Sequence, residues 1–237
     1  MNNFGKIYGI GVGPGDSDLL TVRAVRILEK VDVVFAASST KNDYSHSLHI
    51  ASEFISDNCE VVKLGYPMTR DKDTLRKAWD KNCEIALEYI SGGKTAAFLT
   101  LGDPLIYSTF GYMMQTMNKL FPEVEFEVVP GITSYQAAAA TSRQVLVESG
   151  QNLLLTSGIA DPDKFRDSLS AVDNAVILKA YRNFPQLRDT VNSLDKMDVK
   201  FFTRLGLDGE AIYLDVNEVP EKTHYLSLML LTSAHDK

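Results

Sequence analysis

Three loops rich in glycine, proline and small polar residues carry groups that could bind a ligand. The first reads G-V-G-P-G-D at residues 11–16, the second L-G-D-P at residues 101–104, and the third V-P-G-I-T-S at residues 129–134. Glycine lets backbone groups approach a ligand closely, and a carboxylate such as Asp103 accepts hydrogen bonds from hydroxyl or ammonium groups. Each loop follows a strand-like run, so we expect the three loops to line one rim of a sheet.

The first loop does not fit the dinucleotide or phosphate fingerprints. Counting G-x-G-x-x-G from Gly9 or from Gly11 puts Pro14 or Asp16 where the third glycine should be. The second strand, within residues 33–38, carries no acidic residue to hold a ribose, and the phosphate-cradling pattern G-x-x-x-x-G-K-[ST] is absent. Taken alone, the loop is also typical of a tight turn between a strand and a helix.

The segments around these loops alternate between strand-like and helix-like patterns. Apolar runs lie at residues 7–12, 31–37, 61–64, 95–101 and 126–129, and again at 153–156, 175–178, 200–202, 211–214 and 225–231. In the first half, helical spacing separates the runs, which predicts a mostly parallel sheet covered by crossover helices. The last runs of the second half follow one another without a helix, which predicts a mixed sheet. The predicted fold class is therefore α/β, with two α/β domains.

We place the domain boundary where a helical pattern ends at Pro122. The prediction is an N-terminal α/β domain over residues 1–121 and a C-terminal α/β domain over residues 122–237. Because no long flexible linker separates the halves, we expect the domains to be closely apposed. A cleft between two domains is the default position for a ligand.

Composition and charge disfavour several classes of protein. Of the 237 residues, 45% are hydrophobic and 23% are charged, which is typical of a globular protein with a sizeable core. The formal net charge of −7 argues against a nucleic-acid-binding protein. No apolar run approaches the roughly 20 residues of a membrane span. The N-terminus does not read as a signal peptide, so we expect a soluble cytoplasmic protein.

Residue types that bind metals or act as nucleophiles are sparse. Cys59 and Cys83 are the two cysteines, and their spacing fits neither a metal site nor a disulfide framework. Cys83 lies on the apolar stripe of a predicted helix, which favours a structural role in the core. His46 and His49 could share one helix face, but no third ligand is apparent, so no metal site is expected.

Taken together, the three loops resemble the signature stretches of the tetrapyrrole methylases, in the family's order and at its usual separations. The resemblance extends over essentially the whole chain. Residues 36–45, 67–71 and 100–111 further resemble the branch that methylates carbon 20 of the macrocycle, acting on precorrin-2 or cobalt-factor II. The resemblance implies the tetrapyrrole methylase fold and an S-adenosylmethionine-dependent C-methyltransferase of cobalamin biosynthesis. It also implies a homodimer.

The resemblance further implies that S-adenosylmethionine, the co-substrate, is held compactly between the two domains. The residues carried over from the family's motifs are Pro14, Leu101, Gly102, Asp103, Ile106, Thr133 and Ser134, with Ala180 and Gly206 from the second half. Asp103 is also typical of a turn before Pro104. No catalytic residue is assigned, because methyl transfer from a sulfonium requires positioning rather than a nucleophilic side chain.

The tetrapyrrole substrate that the family implies bears many acetate and propionate arms, so its pocket requires cationic side chains. Arg70 and Lys41 are assigned to its carboxylates, and Tyr44 to its macrocycle. Tyr107 is the alternative for this contact, and both tyrosines are also typical of aromatic packing at a domain junction. Three further cations lie beside predicted strand ends, where each is either a carboxylate ligand or a solvated surface charge: Lys179, Arg182 and Arg204.

Two other functions remain open at this point. The family also methylates other tetrapyrrole carbons, diphthamide and ribosomal RNA, although the acidic balance disfavours an RNA substrate. A protein of a different class could bind a tetrapyrrole without transferring a methyl group. The intact cofactor loops disfavour such a carrier, since it has no reason to bind S-adenosylmethionine.

Overall fold

The structure of the protein, a computed structural model, describes residues 3–39, 45–67, 69, 71–158, 161–194 and 197–233. The chain forms two compact units, Met1–Thr133 and Ser134–Lys237. Each unit contains one five-stranded sheet. The first sheet is parallel throughout, and the second is mixed. The predicted α/β class, with one parallel and one mixed sheet, is confirmed.

Every predicted strand is present, and most ends shift by a few residues. The strands are β1 Ile7–Gly11, β2 Val33–Ser39, β3 Glu60–Tyr66, β4 Ala96–Thr100, β5 Phe126–Val129, β6 Leu153–Ser157, β7 Asn174–Leu178, β8 Met197–Thr203, β9 Ala211–Tyr213 and β10 Ser227–Ser233. The helices are α1 Val22–Leu28, α2 His46–Ala51, α3 Lys72–Ile90, α4 Thr109–Leu120, α5 Ser134–Ser142, α6 Pro162–Ser170 and α7 Phe184–Asn192, with 3-10 turns at Ser17–Leu19, Ser52–Phe54 and Val216–Glu218. Within the described ranges, none of the helices is long and apolar enough to cross a membrane.

The first sheet has the strand order β3-β2-β4-β1-β5 and a hydrophobic cluster on each face. Strand β4 is buried at every position because alternate side chains point into opposite clusters. Phe98 belongs to the cluster that contains Phe110 of α4, whereas Leu99 belongs to the cluster that contains Leu28 of α1. An unbroken apolar run is therefore the expected pattern of this strand, as in other parallel sheets covered on both faces.

The second sheet has the strand order β6-β7-β10-β8-β9. Strand β10 runs antiparallel to both of its neighbours, and in the register Leu228 lies opposite Leu178 while Ser227 lies opposite Thr203. Strands β7 and β8 consequently end at the edge of the sheet where β10 begins. This edge brings together segments that are far apart in the chain.

The division between the units lies beyond the boundary predicted at residue 121. Helix α4 does end at Leu120, as the pattern before Pro122 predicts. However, β5 pairs with β1 from Phe126 to Val129, so this strand completes the first sheet. We therefore propose a boundary after Thr133 in place of domains over residues 1–121 and 122–237.

Cys83 lies in the core of the first unit, on the helix predicted from its apolar spacing. Helix α3 carries Cys83, Ala86 and Ile90 into the same cluster, and the side chains of all three are fully buried. The Cys83 thiol donates to the Met113 carbonyl oxygen at 3.8 Å. Burial raises the pKa of Cys83 to about 12. The predicted structural role is confirmed, since this thiol is neither exposed nor ionised at neutral pH.

We predict that an aromatic disulfide reagent at about pH 8 modifies Cys59 in the folded protein and reaches Cys83 only on unfolding, because the thiolate is the reactive form. Cys59 is partly exposed, whereas Cys83 is buried. Thiol release followed by absorbance should show a single native phase. That phase should vanish in Cys59→Ser and persist in Cys83→Ser. Rapid labelling of Cys83 in native buffer would contradict its assignment to the core.

Candidate functional site

The three glycine and proline loops follow three adjacent strands of the first sheet. The first loop follows β1, the second follows β4 and the third follows β5, and these strands are neighbours in the order β4-β1-β5. Because the strands are parallel, their carboxyl ends lie at one edge of the sheet. The Gly102 N–H donates to the Gly13 carbonyl oxygen at 2.7 Å and ties the second loop to the first. The expected common rim is confirmed.

Gly11 and Gly131 are glycines because the three loops approach too closely to leave room for a side chain. A Cβ at Gly11 would lie 2.5 Å from the Gly102 carbonyl oxygen and 2.6 Å from the Gly131 Cα. A Cβ at Gly131 would lie 2.7 Å from the Gly11 Cα. The atoms that such a Cβ would overlap belong to the backbone, so they cannot move away as the end of a flexible side chain could. We call this contact of Gly11, Gly102 and Gly131 the loop junction.

Asp103 uses both carboxylate oxygens to hold the loop junction together. Its Oδ1 accepts the Leu105 N–H at 2.9 Å, and its Oδ2 accepts the Gly131 N–H at 3.1 Å. The turn-forming role that the sequence left open is therefore present, and the bond to the third loop adds a link that was not predicted. Because each carboxylate oxygen can accept a second hydrogen bond, the group remains able to bind a ligand as well.

The other residues assigned to the cofactor in the first unit flank the loop junction. Pro14 and Thr133 are buried, whereas Leu101 and Ile106 are partly buried. A Cβ at Gly102, where φ is +71°, would meet only the Thr133 Cα, 4.0 Å away. The backbone of Gly102 therefore borders open space beside Thr133. A ligand can approach main-chain groups directly at such a position.

Ser134, Ala180 and Gly206 belong to the second unit. Ser134 is the first residue of α5. Ala180 is buried just after β7, and its N–H donates to the Ser227 carbonyl oxygen at 3.3 Å. Gly206 lies in an exposed turn after β8, and its N–H donates to Glu210 Oε2 at 2.7 Å. Ala180 and Gly206 thus lie at one edge of the second sheet, and their assignment to the cofactor stays a prediction.

The residues assigned to the substrate, Lys41, Tyr44 and Arg70, lie outside the described residues. Those assignments also stay predictions. Among the residues that the structure describes, no group of three or more histidine, cysteine, aspartate or glutamate side chains is arranged to hold a metal ion.

Sequence reasoning missed the residues that enter β10. Ser227 and its preceding neighbours His224 and Tyr225 lie at the edge where Lys179 follows β7 and Arg204 follows β8. The predicted mixed sheet could have indicated these residues. Residues that enter an antiparallel strand necessarily lie beside the carboxyl ends of the neighbouring strands.

Comparisons of the sequence with known proteins found a matching family and similar relatives. The sequence model of the tetrapyrrole (corrin/porphyrin) methylases matches residues 6–219. A probable cobalt-precorrin-2 C(20)-methyltransferase of Methanocaldococcus jannaschii is 32% identical, over 95% of this chain and 95% of that protein. The cobalt-precorrin-2 C(20)-methyltransferase of Salmonella typhimurium is 30% identical, over 91% of this chain and 90% of that protein.

A solved structure supports the same architecture. The uroporphyrin-III C-methyltransferase of Thermus thermophilus, in complex with S-adenosylhomocysteine, superposes with a TM-score of 0.66 at 19% identity. The superposition covers 96% of this chain and 97% of that one. The two chains therefore share their fold.

We predict that Gly131→Ala destabilises the first unit by about 1–3 kcal/mol, because its methyl group would overlap backbone of the first and second loops. Gly65→Ala is the matched control. It also lies near the carboxyl end of a strand of this sheet, and a Cβ there would meet no atom within 4 Å. The control should change the free energy of unfolding by no more than about 1 kcal/mol. Equal urea midpoints for the two variants would show that the loop junction is not tightly packed.

Proposed function

This chain belongs to the tetrapyrrole (corrin/porphyrin) methylases, and we propose that it transfers a methyl group from S-adenosylmethionine to carbon 20 of precorrin-2, or of its cobalt-containing counterpart, in cobalamin biosynthesis. One observation carries this proposal. Relatives 32% and 30% identical to this chain, aligned over nearly the full length of both partners, are named for that reaction. Both are named for the cobalt form, which makes cobalt-precorrin-2 the first substrate to test.

The loop junction supports S-adenosylmethionine as the methyl donor. The open space beside Gly102 and Thr133 gives a ligand access to main-chain donors and acceptors. Asp103 adds a carboxylate that suits hydroxyl or ammonium groups. The structural neighbour from Thermus thermophilus was solved with S-adenosylhomocysteine, the demethylated form of this co-substrate. We assign the co-substrate to Pro14, Leu101, Gly102, Asp103, Ile106, Thr133 and Ser134, with Ala180 and Gly206 from the second unit.

The chain contributes positioning rather than a reactive side chain to this chemistry. When bound, S-adenosylmethionine supplies a methyl group on a positively charged sulfur, which needs no further activation. The reduced macrocycle is electron-rich, so its meso carbon is itself the nucleophile. As the new carbon–carbon bond forms, the bond from sulfur to the methyl group breaks and S-adenosylhomocysteine leaves, and the meso carbon then loses its proton to a base. Loops held by backbone contacts and by Asp103 can fix the two partners in line and exclude water. We therefore propose direct in-line transfer without a covalent enzyme intermediate.

The substrate assignments of the sequence complete the proposal. We assign Arg70 and Lys41 to the carboxylate arms of the substrate and Tyr44 to its macrocycle. We also propose a homodimer, as the family resemblance implies, and a cytoplasmic location. Light scattering of the purified protein tests the oligomeric state.

Mass spectrometry of the macrocycle tests the reaction. Incubation of the wild-type protein with methyl-labelled S-adenosylmethionine and cobalt-precorrin-2 should add one labelled methyl group, and proton-carbon NMR should place it on carbon 20. Metal-free precorrin-2 serves as the parallel substrate. Labelling of another carbon would replace this proposal with a different methylase of the pathway. Tetrapyrrole binding without binding of S-adenosylhomocysteine would favour a non-catalytic carrier.

We predict that Asp103→Ala weakens binding of S-adenosylhomocysteine about tenfold to a hundredfold, as expected for the loss of hydrogen bonds to a charged group. Asp103→Asn should fall between this variant and the wild type, because its amide can accept only one of the two N–H groups that Asp103 now accepts. Titration calorimetry measures the affinity. Asp73→Asn removes an exposed carboxylate of α3 and serves as the control. Wild-type affinity in folded Asp103→Ala would contradict the assignment.

A further inference from the structure

Three cationic residues gather at the edge of the second sheet where β10 begins. Lys179 directly follows β7, Arg204 directly follows β8, and the Lys179 carbonyl oxygen accepts the Arg182 N–H at 3.2 Å. The entry of β10 lies between them, because the Ala180 N–H donates to Ser227 and the Arg204 N–H donates to Leu226. We call Lys179, Arg182 and Arg204 the cationic rim.

No carboxylate neutralises the cationic rim within the described part of the chain. The ion pairs that the structure shows in the second unit join Lys164 to Asp161 and Lys200 to Asp198, and both lie elsewhere. Glu210 lies in the turn after Arg204, but its carboxylate accepts the Gly206 N–H. Lys179 and Arg182 therefore lie close together without a carboxylate partner among the described residues, and Arg204, on the other side of β10, also has none. An anionic ligand would reduce the repulsion between Lys179 and Arg182.

The charges of the rim contribute to the pKa shifts of neighbouring groups. Burial and the proximity of Arg182 lower the pKa of Lys179. Burial and the proximity of Arg204 lower the pKa of His224 below its usual range. The His224 Nδ1 accepts the Leu226 N–H at 3.1 Å, which requires that nitrogen to be unprotonated. His224 is thus a neutral neighbour of the rim rather than a fourth cation.

Two buried polar atoms at this edge have no hydrogen-bond partner. One is the Nε of Arg204 and the other is the Oγ of Ser227, a residue whose exposed fraction is 7%. Buried polar groups are nearly always satisfied by protein, water or a ligand. Because Ser227 lies opposite Thr203, the residue before Arg204, both atoms belong to the same edge. This edge therefore has the unsatisfied donors of a binding site.

Two tyrosine rings, inclined to each other, lie beside the charges. The rings of Tyr181 and Tyr225 have their centroids 5.4 Å apart at an angle of 56°. Arg182 donates from Nε to the Tyr181 hydroxyl oxygen at 3.1 Å, which holds its guanidinium beside that ring. Tyr225 is 45% exposed, so part of this surface is open to a ligand. Aromatic faces of this kind suit a large conjugated ring.

We propose that the cationic rim binds carboxylate arms of the tetrapyrrole substrate through Lys179, Arg182 and Arg204. This inference rests on the proposed function, because it assigns part of the substrate site to the second unit. Carboxylates could also come from the amino-acid end of S-adenosylmethionine. The rim favours the macrocycle for two reasons, its charge and its width.

S-adenosylmethionine carries a sulfonium and an ammonium against a single carboxylate, so its net charge is positive. At Ala180 and Gly206 we therefore assign it to main-chain groups, and we assign the cationic side chains of the rim to the anionic macrocycle. The width of the rim points the same way. Lys179 and Arg204 follow strands on either side of β10, and strands lie about 4.8 Å apart, so the two backbones are separated by about 10 Å. Several separate carboxylates match that spread better than one.

The test compares binding of the macrocycle with binding of S-adenosylhomocysteine. The variants are Lys179→Gln, Arg182→Gln and Arg204→Gln, singly and combined, with Arg204→Lys as the charge-conserving variant. Arg143→Gln is the matched control, because Arg143 is an exposed cation of the same unit with a φ of 53°, equal to that of Lys179 and Arg204. Cobalt-precorrin-2 and precorrin-2 are titrated by absorbance with S-adenosylhomocysteine present, so that no methyl transfer occurs.

We expect each single variant to weaken macrocycle binding about fivefold to tenfold, and the triple variant about a hundredfold. The affinity for S-adenosylhomocysteine should stay within about twofold in every variant, which also reports a folded site. Arg204→Lys should recover part of the loss, and Arg143→Gln should bind as the wild type does. The wild-type affinity should fall with added salt more steeply than that of the triple variant.

The outcomes separate the two proposals. A triple variant that binds the macrocycle as well as the wild type, or that loses S-adenosylhomocysteine instead, overturns the assignment of the rim. A wild-type protein that binds the macrocycle but does not methylate carbon 20 overturns the proposed function, and the variants still decide the role of the rim. A wild-type protein that binds neither macrocycle overturns both.

Discussion

The loop junction is the contact on which the site in the first unit depends. Three parallel strands end side by side, and their loops can meet only because Gly11 and Gly131 have no side chains. The hydrogen bond from Gly102 to Gly13 and the two bonds accepted by Asp103 then fix the loops to one another. These contacts hold the main-chain groups of the three loops in fixed positions. Such preorganisation is what the in-line transfer that we propose would require of a protein.

The two units offer ligands opposite electrostatic surroundings. The loop junction presents main-chain dipoles and the carboxylate of Asp103, which would suit the co-substrate that we assign there, since its net charge is positive. The cationic rim presents Lys179, Arg182 and Arg204, which would suit a polycarboxylate. The formal net charge of −7 conceals this difference, since a local cluster determines the potential that a bound ligand meets. An acidic protein can therefore bind an anionic substrate.

The sequence predicted the strands and the common rim because both depend on local patterns. A strand buried on both faces, such as β4, is an unbroken apolar run, and the loops after β1, β4 and β5 share one edge in any parallel sheet. The boundary at residue 121 was harder, since the helix end at Leu120 is local whereas the pairing of β5 with β1 is not. The pattern of residues 126–129 identifies a strand but not its partner.

The sequence identified the three cations of the cationic rim as candidates, but for the same physical reason it could not show that they share one edge. Lys179, Arg204 and Ser227 are distant in the chain, and only the insertion of β10 between β7 and β8 brings them together. Each cation judged singly was more consistent with a solvated surface charge than with a ligand. A cation that binds a ligand differs from a solvated one in whether its polar atoms already have hydrogen-bond or ion-pair partners. Those partners are set by the folded chain, and sequence spacing does not reveal them.

The glycines of the first loop are required for different structural reasons. A Cβ at Gly9 would overlap the ring of Phe110, so this glycine makes room for the core. Gly11 makes room for the neighbouring loops, and Gly13 has a φ of 79°, which favours glycine in the turn. None of these causes is a direct contact with a ligand. The spacing of the glycines is thus set by packing inside the unit rather than by a pyrophosphate. This explains why the first loop departs from the dinucleotide fingerprint and is ambiguous alone. It identifies the family only together with the second and third loops, whose backbones it contacts.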